Sequence, residues 1–380
     1  MALWYVSNSG SDSNTGNSQA QAYATIGKAL SSAASSDTIG VQTGTYTITS
    51  TLNITQATLL IQGYQTTPGD NGTAPLITTA TNSTVIFNTG SSNGGTQTFQ
   101  NLSLGNTAGT PASCIWQGSA HGTTQAWIFV ECSFNGFAVA IDSSDGTPWD
   151  VAFISVIDCL IENSTVVGLT WGGTNFGALC IFGSTFKNNV QHIAISDNIP
   201  VTIARTIFSG STNSFGLSMS SNDATTFDSC TFFGNVNNSA TVGFTSSNTF
   251  FALTNNIFYG NTGAGLAVIA PTGNGLIRGL ASSCNNAFGG NTGGTGWPGS
   301  IGDVVLTANP FTNSASGDFS LNSTSGGGAA CKGAGFPGAF PGGTSTGHVD
   351  IGAVQSSTGG GGGGNVPPVV TLGMTGGMRG

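Results

Sequence analysis

Five stretches of this chain are near-copies of one another: "FVECSFNGF" (129–137), "SVIDCLIENS" (155–164), "FGSTFKNN" (182–189), "FDSCTFFGN" (227–235) and "LTNNIFYGN" (253–261). Each sets a small or thiol residue, a spacer, an apolar residue and then a turn closing on or near Asn. Aligned on the inner apolar residue, the copies fall at Leu104, Phe134, Ile161, Phe186, Phe208, Phe232, Phe258 and Phe288, with separations of 22 to 30 residues. A unit this short cannot bury its own apolar face, so it must stack on the next one, and such a period marks a solenoid. The uneven spacing suits coils with fixed strands and variable loops.

Within each unit the apolar residues alternate. "AWIFVECSF" (126–134), "VAFISVIDCLI" (151–161), "VTIARTIF" (201–208) and "TFFALTNNIF" (249–258) contain the aligned residue, and "FAVAID" (137–142), "VGLTW" (167–171), "HIAIS" (192–196) and "FGLSMS" (215–220) follow it. These are period-2 strands rich in β-branched and aromatic residues, punctuated by Gly, Asn and Ser, and no helical period recurs between them. The pattern predicts an all-β chain, a single-stranded right-handed parallel β-helix over residues 1–355. Coils about 4.8 Å apart bring equivalent residues into ladders. Cys132, Cys159 and Cys230 then share one inner slot, continued by Ser184, Thr206, Asn256 and Asn286, while Asp228 is left as a solitary surface acid. Asn189, Asn235, Asn261 and Asn291 read as left-handed turn residues whose amides bond from copy to copy. The buried thiols and amides are filler and ladder, in keeping with the burial habit of free cysteine.

Composition narrows the function classes. Only 6% of the 380 residues are charged and the net charge is −9, so six Lys and Arg cannot build a nucleic-acid-binding stripe. An anionic polymer would meet little positive charge either. No apolar run is long enough to span a bilayer. The opening "MALWYVSNSGSDSNTG" has neither a basic region nor a long apolar core, so the expectation is a removed leader or export by another route, such as lysis by a virus. Seven cysteines, none in CxxC spacing, and three His argue against a zinc site.

The ends differ from the coils. "YATIGKALSSA" (23–33) sets Ile26, Ala29, Leu30 and Ala33 at helical spacing and predicts a helix over the open end of the first coil. "YVSNSGSDSNTGNSQAQAYATIGKAL" followed by "DTIGVQTGTY" resembles the opening of secreted right-handed β-helix proteins of the pectate-lyase-like superfamily. "NPFTNSASGDFSLNSTSGGGAACKGAG" (309–335) and "HVDIGAVQ" (348–355) resemble the closing coil of polymorphic outer-membrane-protein-like β-helices. Residues 356–365 form a Gly-rich linker. The tail 366–380 either stays disordered or docks on a partner through Val369, Val370, Leu372, Met374 and Met378.

The resemblance implies, for an enzyme, a cluster of acids holding calcium and an Arg or Lys base. Glu131 and Asp158 fall in one outward slot on successive coils, and Arg205 in the same slot two coils on. Like charges that close repel unless a cation or shared proton intervenes, so Glu131 and Asp158 make a candidate carboxylate dyad or calcium site. Trp149 and Asp150, with Asp142 nearby, form a candidate glycan-stacking loop. His121 and His192 show no partner. The favoured reading is a non-catalytic structural and adhesive module with no metal or cofactor, presenting a glycan-binding face. It is extracellular, on a virion surface as a bacteriophage fibre or decoration component tethered by its tail to an assembly protein, or on a bacterial cell surface. The alternatives are a polysaccharide lyase or glycoside hydrolase using Glu131, Asp158 and Arg205, and a secreted bacterial adhesin. Homo-oligomers suit the architecture, although no heptad supports a coiled-coil one.

Overall fold

A computed structural model describes residues 1–355 apart from 80–83, 90–93, 107–112, 117–124, 144–150, 173–176, 197–198, 214, 220–223, 245–249, 265–266, 269–279, 293–299 and 337–348. Three parallel sheets run its length. Sheet A has 11 strands, from Leu3–Val6 to Leu280–Cys284; sheet B has 11, from Thr45–Ile48 to Val304–Leu306; sheet C has 10, from Leu52–Asn53 to Thr262–Ala264. Every strand pairs with its equivalent one coil away, so the expected parallel β-helix is the observed fold. Among the described residues no helix is long and apolar enough to cross a membrane.

The aligned apolar residues are neighbours in register: Leu104 with Phe134, Phe134 with Ile161, and so on through Phe186, Phe208, Phe232, Phe258 and Phe288. Five phenylalanines of this row stack. Centroids of successive rings from Phe186 to Phe288 lie 5.2, 5.1, 4.5 and 5.3 Å apart, with interplanar angles of 27°, 13°, 3° and 8°. The strand spacing imposes this repeat, and each buried ring removes a large apolar surface from water.

Two left-handed columns make the corners. Between sheets A and B one residue per coil has positive φ, and between B and C the column runs Gly136, Asn163, Asn188, Gly210, Gly234, Gly260 and Gly290. The expected left-handed residues Asn189, Asn235 and Asn261 are therefore one position off. They follow the corner residue, point inward and are buried. Their amides do form the expected ladder: Asn235 N–H and Nδ2–H both donate to Asn261 Oδ1 (3.1 and 2.9 Å), and Asn261 does the same to Asn291 (2.8 and 3.0 Å). The slot shared by the cysteines forms a second ladder. Cys132 N–H donates to Cys159 Sγ (3.4 Å), Cys159 N–H to Ser184 Oγ (3.1 Å), Cys230 N–H to Asn256 Oδ1 (2.8 Å) and Asn256 N–H to Asn286 Oδ1 (3.0 Å). Backbone donors that the tight corner leaves without a strand partner are satisfied this way.

A helix, Ile26–Ser32, stands near the first strands, with Thr25 Oγ1 accepting from Lys28 N–H at its start and Ile26, Ala29 and Leu30 buried. Beyond Val304–Leu306 the described residues add no further coil. Phe311–Asn313 and Asp318–Leu321 pair antiparallel. The segment then turns back on the outer face of sheet B, where Phe311, Phe319, Leu321, Cys331 and Ile351 join Ile257 and Ala287 in a second apolar cluster with Ile207, Phe233 and Tyr259 at its edge. The outer positions of sheet B change to match. Ser133, Asn135, Glu162, Thr185 and Lys187, with one apolar residue, Leu160, occupy them in the open coils, and Phe233, Ile257 and Tyr259 under the returning segment.

Candidate functional site

The A–B corner carries the predicted charges. Its column reads Asn101, Glu131, Asp158, Gly183, Arg205, Ser229, Asn255 and Asn285, with φ between 49° and 63°. Each backbone N–H donates to the last sheet A carbonyl one coil on: Glu131 to Ile157 (3.0 Å), Asp158 to Phe182 (2.9 Å), Gly183 to Ala204 (3.1 Å) and Arg205 to Asp228 (3.0 Å). The column thus confirms that Glu131, Asp158 and Arg205 share one slot. Asn, Asp and Gly tolerate this conformation, whereas Glu131 and Arg205 pay a steric cost of order 1 kcal/mol each.

Two side chains of this row, those of Asp158 and Arg205, reach toward one coil. A Cβ at position 183 would fall on Asp158 Oδ1, so the Asp158 carboxylate lies over Gly183 in the space a side chain would fill. Arg205 reaches the same coil from the other side, its Cζ 5.7 Å from the centroid of the Phe182 ring. All three charged side chains are exposed. Even so, the packed turn partly desolvates Asp158 and raises its carboxyl above the usual carboxylate range.

Asp228 is out of register with the row, pairing with Ala204 and Thr254, as the repeat implied. It is not solitary. It is half-buried, accepts from Ser229 Oγ (3.3 Å) and feels the Arg205 charge; burial raises its carboxyl, while Ser229, Arg205 and Asn255 hold it partly down. Sequence reasoning set Asp228 aside as a surface acid and did not single out Phe182, although both immediately precede a residue of the corner column.

The corner divides two unlike flanks. On the sheet B side, Ser133 Oγ bonds Ser103 Oγ (3.0 Å), Asn135 Nδ2 donates to Glu162 Oε1 (3.1 Å) and Asn163 Nδ2 to Asn135 Oδ1 (3.0 Å). On the sheet A side the residues before the corner are Val130, Ile157 and Phe182. A sugar presents hydroxyls at its edge and C–H groups on its faces, and a surface with polar and apolar halves complements both. Calcium fits less well. It takes six to eight oxygens, and among the described residues no three acidic, His or Cys side chains gather into a metal-holding group.

The remaining candidates lie elsewhere. Asp142 is on sheet C, in register with Trp116 and Thr170, where its Oδ2 accepts from Ser113 Oγ (2.7 Å). Trp149, Asp150, His121 and the tail residues Val369, Val370, Leu372, Met374 and Met378 lie outside the described residues. His192, read as partnerless, is wholly buried between Asn189 and Asn235.

No protein-family model matches this chain, and a search of curated proteins gives no match. Solved structures do. The pectate lyase Pel9A superposes with a TM-score of 0.60 at 14% identity, covering 93% of this chain and 96% of that one. A lacto-N-biosidase from Eubacterium ramulus gives 0.44 at 10% identity, covering 74% and 67%, and a rhamnogalacturonan lyase gives 0.39 at 13%, covering 75% and 87%. The coils and the first of these likenesses define the fold, a right-handed parallel β-helix like that of the pectate lyase Pel9A. At this identity the likeness speaks for the fold alone.

Proposed function

We propose that the A–B corner hydrolyses a neutral polysaccharide, with Asp158 as proton donor and Glu131 as its carboxylate partner. The observation that carries this reading is the charged column itself. In a chain with 6% charged residues, three share one strained row within four successive coils, where other coils place Asn, Gly or Ser. Strain of this kind is kept where it serves a site. Glu131 and Asp158 stand in one column on successive coils, about 4.8 Å apart at the backbone, and a pair of carboxyls is what a retaining glycosidase uses. In the first step the raised Asp158 carboxyl gives its proton to the glycosidic oxygen. Glu131 attacks the anomeric carbon, and the C–O bond to the leaving sugar breaks. Water, deprotonated by Asp158, then releases the glycosyl group from Glu131. Phe182 supplies an apolar platform and Arg205 holds sugar hydroxyls. The net charge of −9 favours a neutral over an anionic polymer.

Reducing-end release from a panel of neutral and uronate-containing polysaccharides tests this. Asp158→Asn should lower the rate at least about 100-fold, the scale of losing general acid catalysis. Unsaturated uronate ends in place of reducing ends would overturn hydrolysis in favour of elimination. A second reading is favoured by the exposure of all three charged side chains on an open corner. It is a non-catalytic adhesive module, carried on a larger assembly by the tail 366–380, and glycan retention without any cleavage would establish its binding half.

A further inference from the structure

The outer face of sheet A is polar or small in most coils, and three neighbouring strands break that rule. Along the column nearest the corner, Gln62 and Gln100 give way to Val130, Ile157 and Phe182, then to Ala204, Asp228 and Thr254. Ile128 and Phe153 extend the same patch, and Cys180 lies within it, in register with Ser155 and Thr202. All six patch residues are half-buried, and neither apolar cluster of the molecule takes in its hydrophobic side chains. Elsewhere the chain covers such a face itself, for Phe233, Ile257 and Tyr259 on the outer face of sheet B lie under the returning segment.

We propose that the apolar part of the chain's own tail, Val369, Val370 and Leu372, lies on this sheet A patch. The described chain ends close by. Ala353 N–H donates to Thr231 Oγ1 (3.0 Å) and Gly352 N–H to Asn255 O (2.7 Å), which puts Gly352 and Ala353, just before the end of the described chain, beside the A–B corner at the coils of Asp228 and Asn255. From the coil of Asp228, Phe182 is two strands away and Val130 four, about 10 and 19 Å at the usual spacing. The linker 356–365 is Gly-rich, and ten such residues have a root-mean-square reach of about 17 Å. A linker whose reach matches the span gives the highest effective concentration, so modest apolar contact suffices for docking. The inference is independent of the proposed cleavage. If both hold, tail and glycan compete for Phe182.

Cys180 reports on the patch directly. All seven cysteines are free, and only Cys180 and Cys284 are not buried. In the 380-residue protein carrying Cys284→Ser, native maleimide labelling of Cys180 should be slow. Adding Val370→Asp and Leu372→Asp should speed it about tenfold by releasing the tethered segment. Equal rates with and without the two substitutions would overturn the proposal. Protection that disappears on dilution, together with a dimer on gel filtration, would assign the patch to the tail of a second copy and overturn the intrachain assignment.

Discussion

His192 illustrates how tightly one residue can be specified inside a solenoid. Asn189 Oδ1 accepts from Ser164 N–H and its Nδ2 donates to Ile161 O, which fixes the amide's orientation. His192 Nδ1, 3.3 Å from that Nδ2, is therefore an acceptor, and Nε2–H donates to Asn235 Oδ1 (3.0 Å). The ring is neutral. A second proton would set an N–H against the Asn189 amide hydrogens in a dry interior, so burial depresses the imidazole from 6.5 to about 4, only partly offset by Asn235. The unfolded chain takes up this proton near pH 6.5 and the native state near pH 4. Stability from this residue is thus complete above about pH 6.5 and falls as pH drops toward 4, by up to about 3 kcal/mol. Asp158 and Asp228, whose raised carboxyls bind protons more readily when folded, act in the opposite sense at the acid end of that range. Urea melts at pH 7 and pH 5 should show a larger loss for the native sequence than for His192→Gln, and equal losses would rule out His192 as the proton acceptor. Alternation within "HIAIS" did not reveal this, because the corner at Asn188 turns His192 inward together with Ile193.

At the scale of the element, the corners decide the register. Every described crossing from sheet A to sheet B between Val130 and Ala287 uses two residues, such as 131–132, 158–159, 205–206 and 255–256: one left-handed, the next buried. Asn256 links its neighbours on both sides in this slot. It accepts from Cys230 N–H (2.8 Å), donates to Phe227 O (2.9 Å) and donates to Asn286 Oδ1 (3.0 Å). Asn256→Ala would take this partner from two buried backbone groups of the preceding coil, Cys230 N–H and Phe227 O, a loss of about 2–4 kcal/mol by the usual penalty per group. Denaturant unfolding would measure it, and a loss below about 0.5 kcal/mol would mean that water takes over the contacts. The slot was legible in the sequence because one chemistry recurs in each coil at the same distance from a phenylalanine. The left-handed position was read one residue late, since Asn188 and Asn189 are chemically alike and only the backbone distinguishes them. The charged slot of Glu131, Asp158 and Arg205 was legible for the same reason. The lean of Asp158 over Gly183 was not, because it depends on a missing side chain one coil away.

Over the whole molecule, two apolar clusters share the load: the long interior of the coils and the smaller one beneath the returning segment. Phe319 touches the second alone, with its ring 5.4 Å from Phe233 and 5.2 Å from Phe311. Phe319→Ala should cost about 3 kcal/mol within that cluster. Limited proteolysis should then cut within 309–355 while the β-sheet circular dichroism of the coils persists. Loss of both together would show one cooperative unit. The return of this segment was foreshadowed by Phe233, Ile257 and Tyr259, apolar residues at outward positions, but alternation alone says only that a face is greasy and not what covers it. The period of the repeat varied for a related reason. The A–B corners are constant, whereas the sequence distance from the end of a sheet C strand to the start of the next sheet A strand varies, from Met219 to Ala224 in one coil and from Val268 to Leu280 in another. Growth is therefore cheap along one seam and prohibited along another. A peptide spliced between Ser143 and Val151 should leave the described rungs in place, while one residue added between Val130 and Ser133 should throw all later coils out of step. Lineages built on this plan can diversify along that seam, and a protein engineer has the same freedom there.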